Sequence, residues 1–373
     1  MNATTLNIRA LRQALNLRDL TDPEDGRHAM QILIEDILCA LRREWGCQIK
    51  IHRESPIISI EDNYNKLRYP PDGAARDARY TRYVTAGTLL RTMASAMVPG
   101  ALRSLANNLP NDLLLACPGL VYRRDSIDRL HTGEPHQLDL WRVHRSQSMT
   151  AIDLRQMIQV IVESALPGME WRTESRVHPY TVDGLQIDVS HGGEWIEIGE
   201  CGLAHPDIIA ENIPNIQGLS GLALGLGLDR LLMIRKNIKD IRLLRSTDPR
   251  VTAQMEDLNL YREVSCMPPA VRDISLVLDE DVGLEDIGDR VREALLADAS
   301  IIENFEIISQ TSYDALPPAA IQRLGISPGQ KNVLLRIVLR ALDRTLTSDE
   351  CNSYRDAIYS VLHEGSAWQW AAR

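Results

Sequence analysis

The sequence predicts an α/β chain of the α+β kind: a large first part of mixed helices and strands, then a smaller unit of strands and helices. Three observations predict it. The 373 residues are 44% hydrophobic and 25% charged, which suits two or three globular domains with real cores. Residues 26–45 carry a helical apolar stripe, and residues 48–60 directly after it alternate as a strand does. Beyond residue 261 the pattern reads β-α-β-β-α, the order of a split βαβ, ferredoxin-like sandwich.

Taken in order, GRHAMQILIEDILCALRREW places Met30, Ile32, Leu33, Ile34, Ile37, Leu38 and Leu41 on a helical stripe. QIKIHRESPIISI reads as a strand, and the polar, Pro- and Gly-containing residues 61–76 read as a long loop. A second helix is expected over Ala86–Leu105, and the glycine-rich run 218–229 is expected to lead into a helix that reaches Lys236. The pattern weakens from Asp248 to Leu260, so the expected domains are 1–255 and 261–373. In the second, strands are expected near 273–279, 301–311 and 333–340, with helices near 283–297 and 348–363. Asp349 and Glu350 after Ser348 suit a helix N-terminus, where the dipole favours negative charge.

Composition excludes several classes. No stretch offers the roughly 18 consecutive apolar residues of a membrane span. The first residues lack the basic, apolar and small-residue layout of a secretory signal, so a cytoplasmic protein without a membrane partner is expected. The six cysteines form no C-x-x-C pair and have no zinc-finger spacing, so they read as small buried hydrophobes in a reducing compartment. A net charge of -10 argues against a sequence-blind nucleic-acid binder, although a local basic groove remains compatible with it. There is a single phenylalanine, Phe305, beside ten tyrosines and six tryptophans.

Three stretches carry the candidate chemistry: 63–97, 121–141 and 218–245. The glycine run is neither a Walker phosphate loop nor a full dinucleotide fingerprint, and close strand–helix packing accounts for it equally well. Asp229-Arg230 directly after it adds an arginine at the strand-to-helix junction, suited to a nucleotide phosphate. On an extended strand Arg123 and Asp125 share one side, suiting a guanidinium on phosphate with a carboxylate beside it. Gln137 and Asp139 share a face of a second strand and are placed to hold an ammonium group jointly. The competing reading of this segment is a solvated polar hairpin.

Together these stretches resemble the three signature motifs of the class II aminoacyl-tRNA synthetases, specifically the catalytic alpha subunit of phenylalanyl-tRNA synthetase. Arg123–Asp139 resembles R-x-[DE]-x-x-D-x-x-H-x-x-x-F-H-Q-x-E, and Gly221–Arg230 resembles G-F-A-F-G-x-G-x-E-R. WIEIGECGLAHP (195–206) is similar to the strand ending in G-C-G-x-x-H-P, and LLRTMASAM (89–97) to L-R-T-H-T-S. NYNKLRYPPDGAARDARYTRYV resembles the dimerising first motif, while 261–278 and 342–350 resemble a ferredoxin-fold anticodon-binding domain fused to the core. The resemblance implies an antiparallel sheet flanked by helices, ATP bound with Mg²⁺, and attack of an amino-acid carboxylate on the α-phosphate. It implies that Arg123 and Arg230 are catalytic, that Asp125, His131 and Glu197 join them in binding ATP, and that Glu197 holds Mg²⁺. It assigns the amino acid to Ser95, Gln137 and Asp139, and the pocket to His178, Tyr180, Leu222, Ala223 and Leu224. A homodimer through the first motif and a one-chain layout that needs no beta subunit also follow from it.

Departures from the pattern matter. His178-Pro179-Tyr180 stands in place of an F-P-F element, and Leu222 and Leu224 replace the phenylalanines of G-F-A-F-G. Asp125, Asp139 and Asp229 shorten glutamates, Met93 replaces a histidine, and Pro135 a phenylalanine. A substrate other than plain phenylalanine, polar, hydroxylated or non-proteinogenic, is therefore expected; repacking around phenylalanine is the competing account. Residues 261–373 hold 11 basic and 18 acidic residues, so the net -7 falls on the part expected to grip tRNA. The N-terminal part is shorter than the family's tRNA-gripping coiled coil. Transfer to tRNA is the first reading; a stand-alone paralogue that delivers the adenylate to a carrier protein or small molecule is the second. A catalytically dead regulator is disfavoured, because Arg123, His131, Gln137, Glu197 and Arg230 are all present.

Overall fold

A computed structural model describes residues 5–77, 80–124, 128–264, 267–342 and 344–368. The chain forms two compact units. The first is Met1–Arg123, Glu134–Lys239 and Ala253–Tyr261; the second is Arg124–Gly133, Asp240–Thr252 and Arg262–Arg373. Two segments that the sequence reading put in the first domain thus group with the second unit.

The first unit is built on a seven-stranded sheet. Its strands are β1 (Gln48–Ile51), β4 (Asp112–Leu120), β5 (His136–His144), β6 (Trp171–Ser175), β7 (Thr181–His191), β8 (Glu194–Ala204) and β9 (Ser220–Gly227), in the order β1-β4-β5-β9-β8-β7-β6. Only the β1–β4 pair is parallel. A two-stranded sheet pairs β2 (Ile57–Ser59) with β3 (Thr88–Leu90). Its helices are α1 (Ile8–Leu15), α2 (Ala29–Trp45), α3 (Ile60–Asn63), α4 (Val98–Leu105), α5 (Ala151–Ala165), α6 (Pro206–Asn212) and α7 (Leu228–Lys236).

Helix α2 forms where the apolar stripe requires it. His28 caps its N-terminus by accepting the Met30 amide, and Gly46 ends it at φ 62°, a left-handed conformation that glycine adopts without a Cβ penalty. Leu33, Ile37 and Leu41 on its inner face are fully buried, each worth about 2 kcal/mol of transfer free energy. Helix α5 begins with a capping box between Thr150 and Asp153. On the opposite face of the sheet, α4 and α6 pack Val98, Leu102, Ile208 and Ile209 against Leu113, Trp141 and Ala223.

Three expectations are corrected here. The 48–60 alternation divides into β1 and β2 in different sheets, because Arg53 turns away to donate to the Thr21 carbonyl and Pro56 has no N–H for a ladder. The helix expected over Ala86–Leu105 is helical only from Val98, with a tight 3-10 turn over Ala94–Met97 before it and β3 earlier still. Pro99 sits in its first turn, where a missing N–H costs nothing. The 61–76 loop includes α3, capped by Ser59, and two short 3-10 turns around the buried Tyr64.

The second unit contains α8 (Pro249–Thr252), β10 (Ala270–Asp279), α9 (Leu284–Leu295), β11 (Ile302–Ser312), α10 (Pro318–Leu324), β12 (Gln330–Leu339) and α11 (Ser348–Leu362). Its sheet order is β10-β12-β11 with both pairings antiparallel, the split βαβ arrangement with α10 added. Helix α11 starts at Ser348 as expected, with Thr347 as its N-cap and Thr347 and Glu350 forming its capping box. Phe305 is buried in this core. Arg124 pairs with Asp289 at 3.3 Å, and Arg129, Arg242 and Arg340 approach the buried Glu303, which ties 124–133 and 240–252 to this unit. Among the described residues no helix is long and apolar enough to cross a membrane. Of the cysteines, Cys47, Cys117, Cys201 and Cys351 are buried thiols as expected, Cys39 is exposed, and Cys266 lies outside the described residues.

Candidate active site

The site is organised by β9. Its residues alternate between the two faces of the sheet, so Gly221, Ala223, Gly225 and Gly227 share one face and Leu222, Leu224 and Leu226 the other. Ala223 belongs to the core cluster on the α4 and α6 side, and the three leucines are buried on the opposite side. The glycine run is therefore a lane without large side chains. Leu222 and Leu224, expected in the amino-acid pocket, face away from it; Ala223 faces it.

Beside this lane on β5 stand Gln137 and Asp139, opposite Gly227 and Gly225. The carboxylate of Asp139 is buried, where it accepts from Ser95 Oγ at 2.5 Å and from Trp141 Nε1 at 2.7 Å. Burial pushes its pKa up to about 6, and the Ser95 and Trp141 bonds counter only part of that effect. Gln137 Oε1 accepts the Ala94 amide at 3.0 Å, so the tight turn over 94–97 is held to β5 at two points. The solvated-hairpin reading is excluded for Asp139. Trp141, which the sequence reading did not name, fixes one of its oxygens.

Strand β4 ends at Leu120, so Val121–Arg124 continue past the ladder rather than as the alternating strand expected. Nearly every β4 residue is buried, which is why that strand showed no alternation to mark its end. Arg123 lies just beyond it, half-buried, with Nε donating to the Thr92 carbonyl at 3.0 Å. Arg82, itself paired with Glu134, holds the Arg123 carbonyl at 2.9 Å. Asp125 lies outside the described residues. His131 belongs to the second unit, where its Nδ1 is 2.7 Å from Asp128.

On β8 the pairing with β7 slips between Ile187 and Asp188, so Glu200 pairs with Gln186 and Glu197 with Asp188. Residues three apart on a regular strand face opposite ways; the bulge restores Glu197 to the face of Glu200. Burial and then the neighbouring Glu200 push the Glu197 carboxyl up, with Arg230 and Arg176 opposing. Arg230, one turn into α7, donates Nη1 to the Glu197 carbonyl at 2.8 Å. Asp229 beside it is buried, accepts the His136 amide and lies 2.9 Å from His136 Nδ1, which locks α7 to the start of β5.

Glu200 was not among the expected site residues. The signal for it was present: it stands where the G-C-G-x-x-H-P pattern has its first glycine. It lies opposite Gly225 and 3.1 Å from Nε2 of the buried His178. Burial raises the Glu200 carboxyl, but His178, Arg176 and Arg123 outweigh it and hold the group below the ordinary carboxylate value. His178 stacks on Tyr180 at 5.7 Å, and Tyr180 on Tyr69 at 6.4 Å. Burial and the neighbouring Tyr69 raise the Tyr180 phenol well above its usual value, so it stays protonated. Met93 packs against the cores on both sides of the turn. Among the described residues no cluster of three or more His, Cys, Asp or Glu is arranged to hold a metal ion.

Residues 21–255 match the family model for the tRNA synthetases class II core domain (F). The alpha subunit of phenylalanine–tRNA ligase from Nostoc sp. is 31% identical over 192 residues, 52% of this chain and 56% of that protein. The chain thus spans little more than half the length of that relative. The alpha subunit from Prochlorococcus marinus (strain NATL2A) is 31% identical over 67% of this chain and 74% of its own length. The chloroplastic/mitochondrial phenylalanine–tRNA ligase of Arabidopsis thaliana is 26% identical over 82% of this chain and 68% of that one. A core model that matches well over half of the chain, on an antiparallel sheet flanked by helices, decides the matter: this chain belongs to the class II tRNA synthetase core-domain family.

Proposed function

We propose that this protein activates an amino acid other than phenylalanine with ATP, forming an aminoacyl-adenylate, and transfers it to tRNA. The observation that carries the reading is the convergence of Ser95, Gln137 and Asp139 beside the side-chain-free lane of β9. In this reading they grip the α-ammonium group. One carboxylate oxygen of the amino acid attacks the α-phosphorus, and the bond to the bridging oxygen breaks as pyrophosphate leaves. Arg123, anchored on Thr92, stabilises the charge that grows on the α-phosphate, and Arg230 orients the leaving pyrophosphate. A tRNA hydroxyl then attacks the carbonyl carbon and AMP leaves. Positioning and electrostatics supply the rate, with no covalent intermediate on the enzyme.

Glu197 suits a magnesium ion: its carboxyl is half-buried and crowded by a second carboxylate, so a hard cation relieves that repulsion. Such an ion supplies charge neutralisation for the phosphates. The second unit fits an anticodon-binding role by its split βαβ topology, and the resemblance to the dimerising first motif favours a homodimer that needs no beta subunit, although the Nostoc and Prochlorococcus relatives are named as alpha subunits.

The net -7 of residues 261–373 favours a second reading, in which the adenylate goes to a carrier protein or small molecule. Amino-acid-dependent ATP–pyrophosphate exchange, followed by aminoacylation of total tRNA, separates the two. Exchange without tRNA charging supports the second reading. Absence of exchange with every amino acid overturns both.

A further inference from the structure

We propose that Glu200 is a specificity residue that reads a hydrogen-bond donor at the end of the substrate's side chain, so that the substrate is an amino acid tipped by a hydroxyl, amine or similar group. The inference rests on the amino-acid-binding reading above and deepens it.

Glu200 and His178 are two departures from the family pattern whose polar atoms meet. One replaces a glycine and the other a phenylalanine, they lie 22 positions apart in sequence, and their side chains meet at 3.1 Å. Nε2 of the buried His178 makes its close polar contact with Glu200 and lacks hydrogen-bond geometry to it, so the pair is a polar unit in a wall otherwise made of Tyr69 and Tyr180. The 3.1 Å contact of His178 is with Oε2. The other oxygen, Oε1, has Arg176 no nearer than 4.0 Å, and the Glu200 side chain keeps 33% of its exposure. An ionised carboxylate oxygen facing a lane of glycine and alanine is an acceptor waiting for a donor.

The distance also fits an amino acid. Asp139 and Glu200 lie on either side of Gly225, so their backbones are about 9.6 Å apart, two strand spacings. With one carboxylate on the α-ammonium, the other meets a group several bonds out along the side chain. An apolar side chain would strip water from the Glu200 carboxylate and return nothing, whereas a donor replaces the lost hydrogen bond. Sites that hydrogen-bond a substrate group in this way reject analogues lacking it by factors of about 10⁴–10⁵ at the extreme.

The test is binding, which does not require catalysis. Thermal shift and calorimetry on the whole 373-residue chain, with L-phenylalanine, L-tyrosine, p-aminophenylalanine, L-lysine and L-arginine as probes, measure the preference. At least one donor-tipped probe is expected to bind about 100-fold more tightly than phenylalanine. Glu200→Gly, the residue of the family pattern, is expected to erase that preference, and Glu200→Gln to reduce it. Unfolding of both variants without ligand controls for folding. Phenylalanine binding as tightly as any donor-tipped probe overturns the proposal, as does equal weakening of every probe by Glu200→Gly, which would put Glu200 in the ATP or metal machinery. Failure of every probe to bind the wild type overturns it too. A donor preference that depends on Glu200, without pyrophosphate exchange, supports this inference and defeats the adenylation reading.

Discussion

Asp139 and Glu200 are the two cross-strand neighbours of Gly225, so two carboxylates face one another across a strand position that carries no side chain. A Cβ added at Gly225 would lie 3.2 Å from Asp139 Oδ2. Asp139 is held by Ser95 and Trp141 and has little room to give. Gly225→Ala is therefore expected to weaken amino-acid binding about tenfold, an effect of roughly 1.4 kcal/mol, with a smaller change in Tm. Gly199→Ala makes the contrast: its Cβ would sit 2.2 Å from the Gly225 carbonyl oxygen, and loss of folded protein is the expected result. Calorimetric Kd and Tm on both variants check the pair.

Amino-acid binding should depend on pH through Asp139. Its folded-state pKa is raised from 3.8 to about 6, so in the free protein the carboxyl takes up a proton as pH falls through about 6. Only the ionised form accepts an ammonium group fully, so Kd for the amino acid is expected to rise as pH drops through that value. For stability the sign is the reverse: the contribution of this group is complete below pH 3.8 and is lost as pH rises through about 6. Asp139→Asn should flatten the pH profile of binding, which titration calorimetry between pH 5 and 8 would reveal.

Arg123 is anchored by Thr92 at the end of β4 and is only half-buried, so its removal leaves the core intact. Arg123→Ala is expected to lower the rate of pyrophosphate exchange by about 10²–10³ or more with little change in Tm. Arg123→Lys should rescue little, because an ammonium lacks the planar fork of a guanidinium. Normal exchange by either variant would remove Arg123 from the chemistry.

The two faces of β9 make separate predictions. Leu224→Ala should cost about 2–5 kcal/mol of stability as a buried large-to-small change, leaving the order of amino-acid preference unaltered. Ala223→Val places bulk on the lane and should alter that order, with longer side chains affected most. Denaturant unfolding and the same binding panel read both outcomes.

How much was legible from the chain alone depended on how local each feature is. The α2 stripe, the β-α-β-β-α order beyond residue 261 and the motif around Gln137 and Asp139 are set by residues near one another in sequence, and all three appear in the structure, the second with α10 inserted between β11 and β12. The segment 86–105 misled because an apolar run carries no period of its own; pairing with Ile57–Ser59 made part of it a strand.

The sequence by itself determined the family, the glycine lane and most of the polar groups beside it, since those are residue identities at fixed spacing. Only the tertiary structure decided which side of the sheet each residue serves. Strand alternation, set by the pairing of Asp139 with Gly225, turned Leu222 and Leu224 away from the lane and left Ala223 on it. One bulge in β8, invisible until its partner strand is known, brought Glu197 onto the face of Glu200. Contact between Glu200 on β8 and His178, which precedes β7, likewise joins residues that their spacing in sequence does not bring together. A one-residue change in register reverses the face of every side chain that follows, and register is a property of paired strands, not of either strand alone.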